Sequence, residues 1–382
     1  MNPLNNNHQK VDNRRVNLEV SPKIEKELKE LENILGWFDG NYVINMFKEK
    51  LKKEDGSIAI GVYIERNWDR PKKIKKLVEF AEKIEDKEPK KKFWNILEER
   101  LFEKYLKSEI EKIKEDVFSI LERLGIKVWS EEIEFIDSLE KVEKDERNEK
   151  MISKELLGVY DQVFGDIRIN VLSYALYEWE SIDKFLKRIK ATIAHECIHK
   201  TLFESHLSDE ERKILYEFRR NMKKEIEEKI ESPKYAGIRC ALEEAIKDCK
   251  VLDENLLSKY IENPKEWIGK NYKLFQVLNK YLERLGRIKA QIKTRYGGIW
   301  ALAEAYGDFI KWYLGEEVKT EIDMNKFEKL RRFYPPEVVE ALIEKTQLLN
   351  DLINKYNSLV KKGMSEEEAA KEILNEMLKI GE

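Results

Sequence analysis

The sequence predicts a mostly helical α+β protein, and three observations carry that expectation. Residues 89–124 repeat apolar side chains at helical spacing, among them Phe93, Trp94, Leu97, Leu101, Ile110, Val117 and Leu121. After Gly125 the period changes to that of strands, at 132–136, 159–164 and 166–171. Helical patterns resume at residue 181 and continue to the end. Strands gathered between helical segments describe an α+β core embedded in helices.

The elements follow in chain order. Residues 1–21 are rich in Asn and have no apolar period, which reads as a flexible tail. A helix begins after Ser21, with Pro22 suited to its first turn. Residues 57–64 (SIAIGVYI) cluster β-branched and aromatic side chains and read as a strand. Asp69 is placed to cap a helix that extends through Ile84. The stretch 89–124 is one helix, or two broken near Lys107 and Ser108, with Gly125 as the residue just past its end. Its Lys and Glu residues form a solvated face.

Residues 132–136 alternate polar and apolar side chains, and so do 159–164 and 166–171, joined by a tight turn at Gly165 and Asp166. Further helices cover 181–203, 237–250 and 299–313. Another follows Pro335 and Pro336 and stops at Gly363. Ser365 and Glu368 form a capping box for the last. The chain thus divides into a tail (1–21), a mainly helical region (22–107), a mixed segment (108–316) and a C-terminal helical region (317–382).

Composition narrows the function classes. The chain has 382 residues, enough for two or three domains, and 38% of them are charged. Lys and Arg number 72 against 75 Asp and Glu, so there is none of the basic surplus expected of a nucleic-acid binder. No apolar run has the length of a membrane span, and the first residues lack an apolar signal core, which points to a cytoplasmic protein. Cys197, Cys240 and Cys249 form no C-x-x-C pair, as expected in a reducing compartment. Heavy use of Lys, Glu and Ile with little Gln, His and Cys matches proteins from hot environments.

One motif carries chemistry. Within the helix 181–203 stands His195-Glu196-Cys197-Ile198-His199. Residues four apart share a helical face, so His195 and His199 can present imidazole nitrogens to one ion. Glu196 is displaced around the helix, beside such an ion rather than on it, where a carboxylate can accept a proton from water. With only four histidines in the chain, chance gives this H-E-x-x-H pentad in roughly one such chain in two hundred. A pair of core histidines satisfied by hydrogen bonds is the competing structural reading. Cys197 reads as a small buried residue.

The strand, short connection and H-E-x-x-H helix resemble the upper subdomain of the zincin zinc metallopeptidases, over residues 108–315. The resemblance implies a zincin-like fold for this segment, a bound Zn²⁺ and a peptide or protein substrate laid along an edge strand, for which 166–171 is available. It also implies a third zinc ligand. His206 lies about 10 Å beyond His199 along a continued helix, too far to share an ion. The gluzincin branch takes a Glu from a later helix, followed four residues on by an Asp that supports a ligand histidine. Two segments fit, Glu244 with Asp248 and Glu304 with Asp308.

Helical geometry favours the first. Arg239, Glu243, Lys247 and Lys250 gather in a narrow arc as its solvent face, which turns Asp248 away from solvent and sets Glu244 beside Cys240 and Ala241. Glu304, Asp308 and Lys311 share one arc and also fit an exposed stripe. The expected centre is therefore His195, His199 and Glu244, supported by Asp248, with Glu304 as the alternative ligand.

By the same resemblance, Zn²⁺ activates a water, and Glu196 acts as general base before passing the proton to the leaving amine. Arg295, Tyr296 and Tyr306 are the candidates for stabilising the oxyanion. The helical segments before 108 and after 315 are suited to covering a cleft, favouring oligopeptides or one dedicated protein. The competing classes are a zinc-binding peptidase-like scaffold or regulator, a helical interaction protein with incidental histidines, and a transcriptional regulator.

Overall fold

A computed structural model describes residues 20–37, 40–128, 133–136, 158–171, 181–227, 233–292 and 298–381. The expected tail falls almost wholly outside them. Contacts divide the chain into two units, one drawn from Met1–Lys112, Ile136–Glu155 and Asn170–Leu186, the other from Ile113–Phe135, Leu156–Ile169 and Lys187–Glu382.

The first unit is built on helices α1 (Pro22–Gly36), α2 (Asn41–Lys52) and α3 (Glu54–Arg66). Ser21 opens α1 by accepting the Ile24 backbone N–H at 3.4 Å. Leu28, Leu31 and Ile34 of α1 and Val43, Phe47 and Leu51 of α2 are buried, and both helices pack on α3. Residues 57–64, expected as a strand, form the middle of α3. Ala59, Ile60, Val62, Tyr63 and Ile64 are all buried, because neighbours enclose this helix. A helix covered on most sides loses its 3.6-residue period, and a short β-branched, aromatic run then looks like a strand.

Helix α4 (Pro71–Glu82) follows, with Arg70 rather than Asp69 at the N-cap and no side-chain cap bond. A residue before proline is held extended, which places the cap on Arg70. Helix α5 (Lys87–Leu97), a π-helical stretch (Glu98–Leu106) and α6 (Lys107–Arg123) continue without interruption, so residue 107 marks a change of helical pitch. Gly125 ends the run at φ +82°.

The second unit contains most of a three-stranded sheet in the order β1 (Ile133–Ile136), β3 (Ile167–Asn170), β2 (Gly158–Tyr160). Strands β2 and β3 are antiparallel, with Gly158 opposite Ile169 and Tyr160 opposite Ile167. The segment expected to pair through residue 164 leaves the ladder after Tyr160. There Asp161 Oδ1 accepts the N–H groups of Val163 (2.9 Å) and Phe164 (3.1 Å), which folds the chain into a turn closed by Gly165 at φ +71°. Residues 166–171, expected at an edge, supply the central strand, and among the described residues β2 is an outer one.

Helix α7 (Ile182–Glu204) carries the pentad, and nearly all of its residues from Ala191 onward are buried. It is followed by α8 (Asp209–Glu227), α9 (Pro233–Asp248), α10 (Glu254–Ser258), α11 (Pro264–Lys270), α12 (Tyr272–Gln291) and α13 (Gly298–Tyr313). The chain ends in α14 (Met324–Leu330), α15 (Pro336–Lys361) and α16 (Glu366–Lys379). Helix α13 packs along α15. Gly363 closes α15 at φ +99°, and the Ser365–Glu368 capping box forms as expected. The protein is thus mostly helical α+β, and among the described residues no helix is long and apolar enough to cross a membrane.

A buried polar cluster fastens the β2–β3 turn to α7 and α8. Glu204 accepts from Tyr160 Oη (2.8 Å) and Arg219 Nη1 (2.6 Å) and pairs with Lys200 (2.8 Å). Arg219 also donates to the carbonyls of Val163 (3.0 Å) and Gln162 (2.8 Å), and Lys200 to that of Gly165 (2.8 Å). Every strong donor in this cluster meets an acceptor, the condition under which buried charges are tolerated.

Candidate metal centre

His195 and His199 lie four residues apart on α7, their ring centroids 4.4 Å from each other. Helix α13 brings a carboxylate to both. Glu304 Oε2 is 3.5 Å from His195 Nε2, and Oε1 is 3.9 Å from His199 Nε2. One ligand atom from each of the three residues lies within 4.8 Å of the others, so the group can hold a metal ion.

The fit can be tested against ordinary coordination distances. Ligands about 2.0–2.1 Å from a tetrahedral zinc stand about 3.3 Å from one another. The observed 3.5 and 3.9 Å need only a small contraction. Buried His199 Nε2 has no hydrogen-bond partner, an arrangement that costs free energy unless something else occupies its lone pair. A histidine pair and a carboxylate form a donor set suited to zinc.

Surrounding residues hold these groups in place. Asp308, one turn beyond Glu304, sets Oδ1 3.4 Å from His195 Nδ1, on the ring edge opposite Glu304, a close approach whose angle falls short of a hydrogen bond. That is the carboxylate–histidine arrangement that orients metal ligands. Asp308 is itself paired with Lys345 of α15 and lies 3.7 Å from Lys311. Between Glu304 and Asp308 stands Gly307, where a Cβ would come within 2.5 Å of His195 Nδ1. Only glycine lets α13 approach the imidazole this closely.

Glu196 is buried beside the histidines, with Oε2 3.6 Å from His199 Nδ1. Strand β2 lies against it. A Cβ at Gly158 would fall 2.6 Å from Thr192 Cγ2 and 3.1 Å from Glu196 Cγ.

Burial and charge compete across the site. Burial, and then the Lys311 ammonium, disfavour charge on His195, but the carboxylates of Asp308, Glu304 and Glu196 outweigh them and lift it to about 9. Burial, reinforced by the charge on His195, drives His199 down to about 3. Glu304 resists its own burial through the two histidines and falls to about 2. Burial raises Glu196 from its ordinary value. The carboxylates of Glu304, Asp308 and Glu196 thus converge on the two imidazoles, with the ammonium groups of Lys345 and Lys311 gathered on the Asp308 side.

The structure departs from the sequence expectation at the third ligand. Glu244 is on α9, away from the histidines, and accepts hydrogen bonds from Lys259 Nζ and Tyr260 Oη, both at 2.6 Å. Asp248 pairs with Lys250 at 2.8 Å. The arc of α9 expected to be buried is partly exposed and satisfied by neighbouring surface groups, whereas the arc of α13 that carries the alternative ligand faces α7. Ala301 and Ala305, small residues flanking Glu304, together with Gly307, were the available signal for close helix approach.

Other expected residues lie elsewhere. His206 makes a 3.1 Å hydrogen bond with the Lys280 carbonyl and stands apart from the group. Cys197 is fully buried and outside it. Tyr306 lies two residues beyond Glu304, on the far side of α13, its hydroxyl pushed up by burial and by Glu376. Arg295 and Tyr296 lie outside the described residues. Comparisons with protein-family models, curated proteins and solved structures find no match to this chain.

Proposed function

We propose that the protein is a zinc-dependent metallopeptidase of zincin type in which His195, His199 and Glu304 hold Zn²⁺ and Glu196 is the general base. The observation that carries this reading is the convergence of Glu304 on the Nε2 atoms of both histidines of an H-E-x-x-H helix. Asp308 extends the likeness to the gluzincin branch, because it stands four residues after Glu304 and against a histidine ligand. Zinc bound there would acidify a water and polarise a substrate carbonyl.

The chain's own residues take the remaining roles. Asp308 orients His195, so that Nε2 is directed at Glu304. Glu196, buried beside His199 and with its carboxyl pushed up by that burial, is suited to accept a proton from water and return it to a leaving amine. Strand β2, an outer strand lying against Glu196, offers the backbone edge along which an extended peptide can add. This role passes to β2 from 166–171, which lie inside the sheet.

Replacing Glu196 by Gln in the full chain tests the reading. The variant is expected to retain zinc and lose peptide cleavage. Cleavage at the wild-type rate would remove Glu196 from the mechanism. Stoichiometric zinc without cleavage of any unstructured peptide by the wild type would favour the zinc-binding scaffold.

A further inference from the structure

Asp308 stands behind His195 on the side away from Glu304, and one of the ammonium groups that hold it comes from the C-terminal helices. Its side chain is only 12% exposed. A carboxylate so buried needs a partner, and its two oxygens are used differently. Oδ2 receives Lys345 Nζ from α15, and Oδ1 faces His195 Nδ1 at 3.4 Å. We propose that Lys345 is a positioning residue for the metal centre, acting through Asp308 to fix the orientation of His195. The inference rests on His195, His199 and Glu304 being the zinc ligands.

The geometry shows why Lys345 matters although a second ammonium is present. Lys311, one turn along α13 from Asp308, approaches Oδ1 at 3.7 Å, the oxygen that His195 also faces. Lys345 engages the other oxygen and is itself only 18% exposed. With Lys345 in place the carboxylate is held from behind, and Oδ1 remains directed at the imidazole. Without it, Lys311 becomes the ammonium nearest to Asp308, and it competes with His195 for the same oxygen. The carboxylate then turns toward its own helix, and the ring loses its support. Removal of such supporting groups typically costs about 10–100-fold in metal affinity. Because Lys345 belongs to α15, the C-terminal helices are part of the metal centre's framework and not merely a cover beside it.

The test uses full-length wild type and the variants K345M, K345R, D308N and D308N/K345M, titrated with Zn²⁺ against a chromophoric chelator. The d–d absorption of the Co²⁺-loaded proteins is recorded alongside. K345M is expected to bind Zn²⁺ about tenfold or more weakly and to alter the Co²⁺ spectrum, with metal-free helix content unchanged. K345R, which keeps a cation at the position, is expected to retain most of the affinity. The double variant is expected to be no weaker than D308N alone, because Lys345 acts through Asp308.

Wild-type affinity in K345M overturns the proposal. So does a further loss in D308N/K345M as large as that caused by K345M alone. Should K345M not fold, a loss in folded K345R beyond tenfold overturns it, and near wild-type binding with an unaltered Co²⁺ spectrum supports it. Failure of the wild type to bind Zn²⁺ overturns the metal reading itself, a result distinct from any of these.

Discussion

Gly307→Ala separates the requirements of the metal centre from those of the helix that carries it. In a helix interior, glycine is less favourable than alanine by about 0.5–1 kcal/mol, so on backbone grounds the substitution stabilises α13. The new methyl group, however, would stand 2.5 Å from His195 Nδ1, 2.6 Å from Cε1 and 2.8 Å from Cγ. Non-bonded heavy atoms prefer about 3.5 Å or more, so the imidazole or α13 must retreat by about 1 Å. His195 sits in a buried, close-packed setting and cannot retreat without leaving its alignment with Glu304 and Asp308. A displacement of that size is comparable to losing a supporting group, about 10–100-fold in zinc affinity, or about 1.4–2.7 kcal/mol. The assay is a competitive zinc titration, paired with thermal unfolding of the metal-free protein. The expected result is weakened zinc binding, with metal-free stability lowered by about 1–2 kcal/mol because overpacking exceeds the gain in helix propensity. Wild-type zinc affinity in G307A would refute the claim that α13 touches the imidazole where the structure places it.

Gly158→Ala is expected to lower turnover more than tenfold while leaving zinc content intact, since its methyl group would press on Thr192 and Glu196 and not on the ligands; steady-state kinetics and metal analysis on one preparation check this. Glu204 yields a pH dependence. Burial opposes its charge, but Lys200 and Arg219 outweigh burial and hold it at about 2, below the usual 4.5. Stability from this depressed group is full above about pH 4.5 and is lost as pH falls toward 2. Glu204→Gln is therefore expected to cost on the order of 3 kcal/mol at pH 7, with the deficit shrinking below pH 4.5 in urea titrations. Ser365→Ala is expected to cost about 1 kcal/mol through loss of the α16 capping box, measured in the same titrations.

Local signals were legible in the sequence and non-local ones were not. Ser21 and the Ser365–Glu368 pair announced helix starts because a cap acts within one turn. The pentad was legible because its two histidines share one helix. Residues 57–64 misled because enclosure of α3 erased the period that separates helix from strand. The place of 166–171 within the sheet depends on β1, which pairs with it across a long stretch of chain, and no local pattern encodes strand order.

The third ligand was ambiguous for a related reason. Glu244 with Asp248 and Glu304 with Asp308 share spacing, and abundant Glu makes such pairs common. What separates them is which helix can come close to α7. Gly307 decides that, yet its meaning depends on knowing that an imidazole lies opposite. The buried arc on α9 was inferred from charges alone, without the Lys259 and Tyr260 groups that satisfy Glu244.

The most direct test of the centre is zinc stoichiometry in metal-loaded, desalted full-length protein, comparing wild type with Glu304→Ala and Glu244→Ala. One zinc per chain is expected in wild type and in E244A, with loss in E304A. Full zinc in E304A, or its loss in E244A with the fold intact, would contradict a centre built from His195, His199 and Glu304.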